Sequence, residues 1–337
     1  MKKNSVLKDI AIRAEVSITT VSIILANKGS EMGVSKTMIR KVKEIAIELR
    51  YIPSVIARGL AQSTTQSIGL IVEDLSNPFF SRFTRRIEEE AKNKGYKVFC
   101  CSCNNNLYSA VDQIKTLLEA NVAGFIISPP ERMQKNIRHL LKISKPVVLI
   151  DRYLPDLNCS YVMMDNYDAA YKATTYLRRQ GYKNIALVTL NSDAIQMTLR
   201  EKGYEEALQG TGMYRESLIL RVEYNSSKEQ KTFDIVQFIK NISAVDSILF
   251  LCNYLCISGL EALKKMELKI PDDIAVMSFD DYSGFLLHTP SISVVEQPIK
   301  AMAVDAVTIL THKIMGSAAI KTDQVFQKAS MSIRGST

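Results

Sequence analysis

The 337-residue chain is 47% hydrophobic and 23% charged, an ordinary globular composition whose length suggests two or three domains. No apolar run approaches the roughly 20 residues that span a bilayer. Residues 1–5 lack the apolar stretch of a secretory signal, so a cytoplasmic protein without a membrane partner is expected. The formal charge of +8 is unevenly spread. Residues 1–66 hold 11 Lys and Arg against 5 Asp and Glu, and the remainder holds 32 against 30. A basic head on a nearly neutral body is the electrostatic footprint of a nucleic-acid-binding module.

Val6 to Asn27 reads as two short helices around a tight turn. Leu7, Ile10, Ala11 and Ala14 share one helical face, and Val16, Val21, Ile24 and Leu25 continue the apolar stripe. Ser17 stands where an N-cap belongs, its hydroxyl able to satisfy an orphan amide. This is the pattern of a helix-turn-helix, whose second helix places its N-terminal residues on base edges in the major groove. Those residues are Ile18, Thr19 and Thr20, with Ser22 and Ile23 one turn on. A third helix follows, capped by Ser35. Ile39, Val42, Ile45, Ala46 and Leu49 face inward, while Lys36, Arg40, Lys41 and Lys43 face out.

Tyr51-Ile-Pro-Ser-Val-Ile-Ala-Arg-Gly-Leu60 resembles the hinge segment of the lac repressor family, usually Tyr-x-Pro-x-x-x-Ala-Arg-x-Leu. Val16-Ser17 and Thr20-Val21-Ser22 add to the match. The resemblance implies a DNA-binding regulator that contacts double-stranded operator DNA as a homodimer. Its DNA contacts would be Leu7, Ser17, Ile18, Thr19, Thr20, Ser22, Ile23, Asn27, Tyr51, Ala57, Arg58 and Leu60. In the family, paired hinge helices enter the minor groove and the leucine matching Leu60 wedges between base pairs. Pro53 and Ser54 can start such a helix, about 53–61. One of this length is marginal alone, and Gly59 weakens it by a further ~1 kcal/mol.

Two positions depart from the family. Glu15 stands where Gly or Asn is usual and is strained if φ is positive there. Ile23 replaces a frequent arginine, so it can only pack where arginine would read guanine by two hydrogen bonds.

After a linker at 62–66, apolar runs alternate with helical stretches. The runs are Ile68–Val72, Val98–Cys101, Gly124–Ile127, Val147–Ile150, Ile185–Leu190, Ile248–Cys252 and Ile274–Phe279. Strands alternating with helices imply α/β structure with parallel sheets, and so many strands fit two doubly wound lobes. No strand is followed by a Gly-rich phosphate loop. An enzyme on this fold would need catalytic groups, and there is no Gly-x-Ser-x-Gly elbow and only His139, His288 and His312, far apart. Of the six cysteines, Cys100, Cys101 and Cys103 cluster and Cys252 and Cys256 lie four apart. They read as small buried hydrophobes rather than a disulfide framework or metal site. No cofactor is expected.

The resemblance continues through Leu75-Ser-Asn-Pro-Phe-Phe80, Lys145-Pro-Val-Val-Leu-Ile-Asp-Arg152, Asp165-Asn166, Arg200-x-x-Gly203-Tyr204, Phe279-Asp-Asp281, Glu296-Gln-Pro298 and Ile333-Arg-Gly-Ser-Thr337. It implies a body, 67–337, of periplasmic-binding-protein type. Lobe one would span about 67–164 and 293–325, and lobe two about 165–292 and 326–337. A periplasmic sugar receptor shares that body but would not carry residues 1–60.

A small-molecule effector is then expected in the cleft, beyond the carboxyl ends of the strands. Residues following those ends are Glu73, Asp74, Asp151, Asn253 and Asp280. Arg200 and Phe79 add a forked donor and a stacking ring. A sugar or sugar derivative is the expected class. Glu73, acidic where the family is mostly apolar or small, and Tyr254, where an Asp is usual, also admit an amine-bearing one. The helix from Phe79 to Lys94 would, by the resemblance, build a dimer interface.

Overall fold

The computed structural model describes residues 4–25, 29–49, 51, 65–242, 244–316 and 323–337. The chain divides into two units, 1–65 and 66–337. Asn27, Ala57, Arg58, Leu60 and the hinge helix expected at about 53–61 lie outside the described residues.

In the head, helices α1 (Asn4–Ala14), α2 (Ile18–Leu25) and α3 (Lys36–Glu48) close on a small core. Ile10, Ala11, Ala14, Val21, Ile24, Val42 and Ala46 are buried there, the inward stripe that the helical period marks. Leu7 and Tyr51 are half-buried against it, and the Tyr51 amide donates to the Ala46 carbonyl. Ser35 caps α3 by accepting from the Met38 amide at 3.3 Å. The turn between α1 and α2 forces Glu15 to φ 61°, the left-handed region that suits Gly or Asn.

In the body, the first sheet takes β1 (Ser67–Val72), β2 (Lys97–Ser102), β3 (Phe125–Ile127), β4 (Val147–Ile150), β5 (Ser160–Met164) and β11 (Gln324–Gln327), in the order β11-β5-β4-β3-β1-β2. The second takes β6 (Ile185–Leu190), β7 (Ile219–Val222), β8 (Ser247–Phe250), β9 (Ala275–Phe279), β10 (Ser293–Glu296) and β12 (Ser330–Ser332), in the order β12-β10-β9-β8-β6-β7. All pairings are parallel except β10 with β12. The helices of the first lobe are α4 (Pro78–Asn93), α5 (Leu107–Glu119), α6 (Gln134–Lys142) and α12 (Ile299–Ile314). Those of the second are α7 (Asn166–Arg179), α8 (Ile195–Leu208), α9 (Lys228–Asn241), α10 (Asn253–Lys265) and α11 (Ser283–Leu287). The two sheets share one strand order, so β1 to β5 correspond in turn to β6 to β10.

Three corrections follow. The strand Ser293–Glu296 pairs with β9, so the crossover into lobe one comes after Glu296 rather than at 293. Its return comes after Gln327 rather than at 325, because β11 pairs with β5 along its whole length. The run Ile248–Cys252 ends as a strand at Phe250, since Cys252 is the residue that opens α10.

Strands β5, β7, β10, β11 and β12 are missing from the apolar runs named above. β11 and β12 are exposed edges, β7 carries Arg221, and β10 has only two apolar residues, whereas β5, with Tyr161–Met164, has an apolar run that was overlooked. The closest helix pair is α7 with α8. A Cβ on Gly203 would stand 2.4 Å from the Tyr167 carbonyl oxygen and 2.9 Å from the Tyr171 nitrogen, so only glycine allows that approach. Next to it Tyr204 is fully buried and donates its hydroxyl to the Ile185 carbonyl at 2.7 Å, fastening α8 to β6.

No described helix is long and apolar enough to cross a membrane. All six cysteines are free thiols, four of them buried, and burial pushes the Cys252 and Cys256 thiols up to about 12. They are thus poor nucleophiles and behave as small apolar groups.

Candidate functional site

Beyond the carboxyl ends of the strands, a partly open cavity lies between the lobes and is lined from both of them. Glu73, Phe79, Asp151, Arg200 and Asp280 all line it, so five of the seven expected positions meet there.

Asp151 and Asp280 occupy corresponding places, each directly after the fourth strand of its lobe. Both have left-handed backbone, φ 68° and 66°. Each amide donates to the next strand, Asp151 to the Val162 carbonyl at 3.1 Å and Asp280 to the Val295 carbonyl at 2.9 Å. Aspartate tolerates this conformation better than most residues, and its use at both strand ends aims two carboxylates into one space.

Arg152 crosses the floor of the first lobe. Its Nη2 meets Glu73 Oε2 at 2.5 Å and its Nε meets Asp151 Oδ2 at 2.9 Å. Nη1 reaches Asn105 Oδ1 at 3.4 Å. Burial works against the Arg152 charge, and the two carboxylates outweigh it, so the group stays a cation. Asn104 and Asn105, both left-handed, form the tight turn after β2 that brings Asn105 to this point. From the second lobe, the Gln196 side-chain oxygen, in the amide orientation that satisfies both groups, accepts from Arg152 Nε at 3.1 Å. Tyr224 donates to Glu73, and burial together with that carboxylate pushes the Tyr224 hydroxyl up.

Arg200 lies on α8 and is nearly wholly buried. Its Nε donates to Asn166 Oδ1 at 2.7 Å and its Nη1 to the Leu251 carbonyl at 2.6 Å. The guanidinium sits 4.5 Å from the centre of the Phe279 ring. Among the described residues Nη2 makes no hydrogen bond. Arg200 is therefore both a brace of the second lobe and a cavity donor. Asp280 accepts from Gln297 Nε2 at 2.6 Å, and burial pushes its carboxyl up against the pull of Arg200.

Two expected residues stand outside the lining. Asp74 closes a turn by accepting from the Ser76 amide and hydroxyl, each at 2.8 Å. Asn253 is buried at the start of α10 and donates across the lobes to Asn77 Oδ1 at 3.1 Å, so it positions a lining residue. Phe79 is also core, packed against Phe80 and Phe83.

Sequence reasoning passed over Asn77, Asn105, Gln196, Tyr224 and Gln297, which all line the cavity. Gln297 was within reach, lying in the Glu296-Gln-Pro298 motif at a crossover. Tyr224 follows β7, a short strand whose apolar run is interrupted by Arg221.

The head offers a second surface. On α2, Ile18, Thr19 and Ser22 are exposed and Thr20 and Ile23 half-buried. Ser17 caps α2 by accepting from the Thr20 amide at 3.0 Å, and the two hydroxyls are 2.8 Å apart. Leu7 and Tyr51 rest on the head core, which ties them to its packing as well as to its surface.

Residues 6–54 match the family "Bacterial regulatory proteins, lacI family". Residues 65–328 match "Periplasmic binding proteins and sugar binding domain of LacI family". The chain belongs to the lacI family of bacterial regulatory proteins. Its head is the family's DNA-binding part and its body the family's sugar-binding domain, and members of the family are transcriptional regulators.

Among its lacI-family relatives is the HTH-type transcriptional repressor PurR of Histophilus somni. It is 27% identical over 313 residues, 91% of this chain and 92% of the relative. The regulator DegA of Bacillus subtilis is 28% identical, with 88% of each chain covered. The ribose operon repressor of Halalkalibacterium halodurans is 28% identical, covering 91% of this chain and 90% of its own.

Of solved structures, the lac repressor dimer bound to operator and an anti-inducer superposes with a TM-score of 0.83 at 21% identity, covering 98% of each chain. A lacI-type regulator of Alkaliphilus metalliredigens complexed with D-xylulofuranose has a TM-score of 0.69 at 25% identity, over 81% of this chain and 99% of that one.

Proposed function

We propose that the protein is a transcriptional repressor that binds a near-palindromic operator as a homodimer and is controlled by a sugar or sugar derivative in the cavity between its lobes. Several curated relatives carry the name repressor, and the Alkaliphilus relative holds a sugar. The observation that carries the reading is the joining, on one chain, of a helix-turn-helix with an exposed α2 and a cavity whose polar groups converge from both lobes.

One helix-turn-helix reads a half-site, so a dimer reads two, and the symmetry of protein and DNA match. Ile18, Thr19, Thr20, Ser22, Ile23 and Asn27 would meet bases, with Ser17, Leu7 and Tyr51 at the backbone. Ala57, Arg58 and Leu60 would enter the minor groove. Ile23 would pack on an apolar base edge such as a thymine methyl.

In the cavity, Asp151, Asp280, Glu73 and Arg200 supply acceptors and a donor for ligand hydroxyls, and Phe79 supplies an apolar wall. Asp74 and Asn253 would act indirectly, by shaping the turn after β1 and by holding Asn77.

Operator selection from a random DNA pool, with and without a panel of sugars, tests the reading. A symmetric selected motif whose retention changes with one sugar supports it. Selection of a single half-site by a monomer overturns the dimeric operator, and indifference to every sugar overturns the sensing.

A further inference from the structure

We infer that the effector is a polyhydroxylated molecule bearing an amine, an amino sugar or aminated polyol, with its ammonium against Asp280. The inference rests on the cavity being the effector site and names the class of molecule it takes.

Three buried carboxylates line the cavity, Glu73, Asp151 and Asp280, against two buried guanidiniums, Arg152 and Arg200. The lining is left with one formal negative charge. The Arg152 charge is matched by Glu73 and Asp151, in two ion pairs of 2.5 and 2.9 Å, so it offers no unmatched positive charge to a ligand anion. Arg200 spends two of its nitrogens on Asn166 and the Leu251 carbonyl and its face on Phe279.

Asp280 is the carboxylate without an ion pair. It is more than nine-tenths buried, and among the described residues no cationic side-chain atom forms an ion pair with it and its side-chain partner is the neutral Gln297 amide on Oδ1. Oδ2 is left open. The neighbouring Asp281 does not share the need, since Arg334 holds it with two hydrogen bonds of 2.9 Å.

The surrounding charges do not reverse the balance. Arg82, exposed and outside this lining, donates to the Asp281 carbonyl at 3.1 Å and, among the described residues, forms no ion pair with Asp280. A buried carboxylate lacking a cation is stabilised by one and resists a second anion. Burial pushes the Asp280 carboxyl up even against the pull of Arg200 and Arg82. A phosphorylated or carboxylated sugar would meet three carboxylates and one available guanidinium nitrogen. An amine-bearing polyol would close the charge deficit and leave its hydroxyls for Asp151, Glu73 and Arg200 Nη2.

Calorimetry on the full-length protein tests this with sugars differing only in charge. The probes are glucose, galactose and mannose, their 2-amino-2-deoxy forms, the N-acetyl forms, and the 6-phosphates. At least one amine is expected to bind tenfold or more tightly than its parent and its N-acetyl form, and the phosphates not at all. Asp280→Asn, an exchange that left-handed backbone accepts, is expected to erase that tenfold margin. Glu73→Gln, which leaves Arg152 its bond to Asp151, is a second route to a neutral cavity and is expected to narrow it too. Equal binding of amine and parent, or tightest binding by a phosphate, overturns the amine inference while the cavity stands as the effector site. A set in which no member binds overturns the sugar reading with it.

Discussion

Asp280 stores a cost that its position in the cavity explains. Its folded pKa lies above the ordinary 3.8 because burial disfavours the charged form. A raised carboxyl makes folding most favourable when protonated, and that advantage is lost as pH rises through the folded value. Asp280→Asn removes the charge and keeps an acceptor for Gln297. Its unfolding free energy is therefore expected to exceed that of the parent at neutral pH, with the gap closing as pH falls toward 3.8. Denaturant titrations across that range check the sign, and a variant less stable at pH 7 contradicts it. Glu15 is the second strained residue, at φ 61° on an exposed turn. The left-handed conformation costs most L-residues about 1–2 kcal/mol and asparagine less. Glu15→Asn should raise the stability of the head by roughly 0.5–1 kcal/mol, seen as a higher melting temperature of its transition. This strain could be anticipated from the residue type at the turn. The one at Asp280 could not, because nothing in Phe279-Asp-Asp281 says which of the two acids lies buried and unpaired.

At the scale of elements, α7 and α8 meet through Gly203, where a methyl group would fall 2.4 Å from a backbone oxygen. Gly203→Ala must separate the helices. Overpacking of this kind costs about 1–3 kcal/mol, and α8 carries Arg200 and Gln196, about one and two turns away, into the cavity. Lower stability and weaker effector binding are thus expected together. If calorimetry shows binding unchanged in the folded variant, α8 does not set the cavity's shape. The cap of α2 is a simpler case. Ser17→Ala deprives the Thr20 amide of its acceptor and should cost the head about 1 kcal/mol, as N-cap removals do. Both positions were legible beforehand, Ser17 as a cap by its place before an apolar stripe and Gly203 as part of a spaced motif. What escaped was chiefly the strands with short or broken apolar runs, β5 being the exception. β7, with Arg221, and the exposed edges β11 and β12 fold because neighbouring strands pair with them, a tertiary cause that a local window cannot register. Losing β7 from view also hid Tyr224, which follows it.

For the molecule as a whole, sensing requires that the two lobes favour one relative position when a ligand is bound. Several polar contacts already join them: Asn253 to Asn77, Gln196 to Arg152, Tyr224 to Glu73, and Ser192 Oγ to Glu131 Oε1 at 2.8 Å. The first three lie on or beside the cavity floor, where a substitution would disturb the ligand itself. Arg200→Ala is no cleaner, because it strands Asn166 and the Leu251 carbonyl. Glu131 is different, being exposed and, among the described residues, bonded across the lobes through Ser192 alone. Glu131→Ala therefore removes a contact that exists only while the lobes are together. A hydrogen bond of this kind contributes about 1 kcal/mol net, so effector affinity should fall by no more than roughly fivefold. Linkage then dictates the effect on DNA. If ligand and cross-lobe contact favour the same state, weakening the contact must shift operator affinity opposite to the effector, whichever way the effector acts. In an induced repressor Glu131→Ala would bind operator slightly more tightly without effector, and in a corepressed one slightly less. Operator titrations of parent and variant, each with and without effector, give the two signs independently. A variant whose operator affinity moves in the same direction as the effector moves it would mean that the state joined by Ser192 and Glu131 is not the one the effector selects.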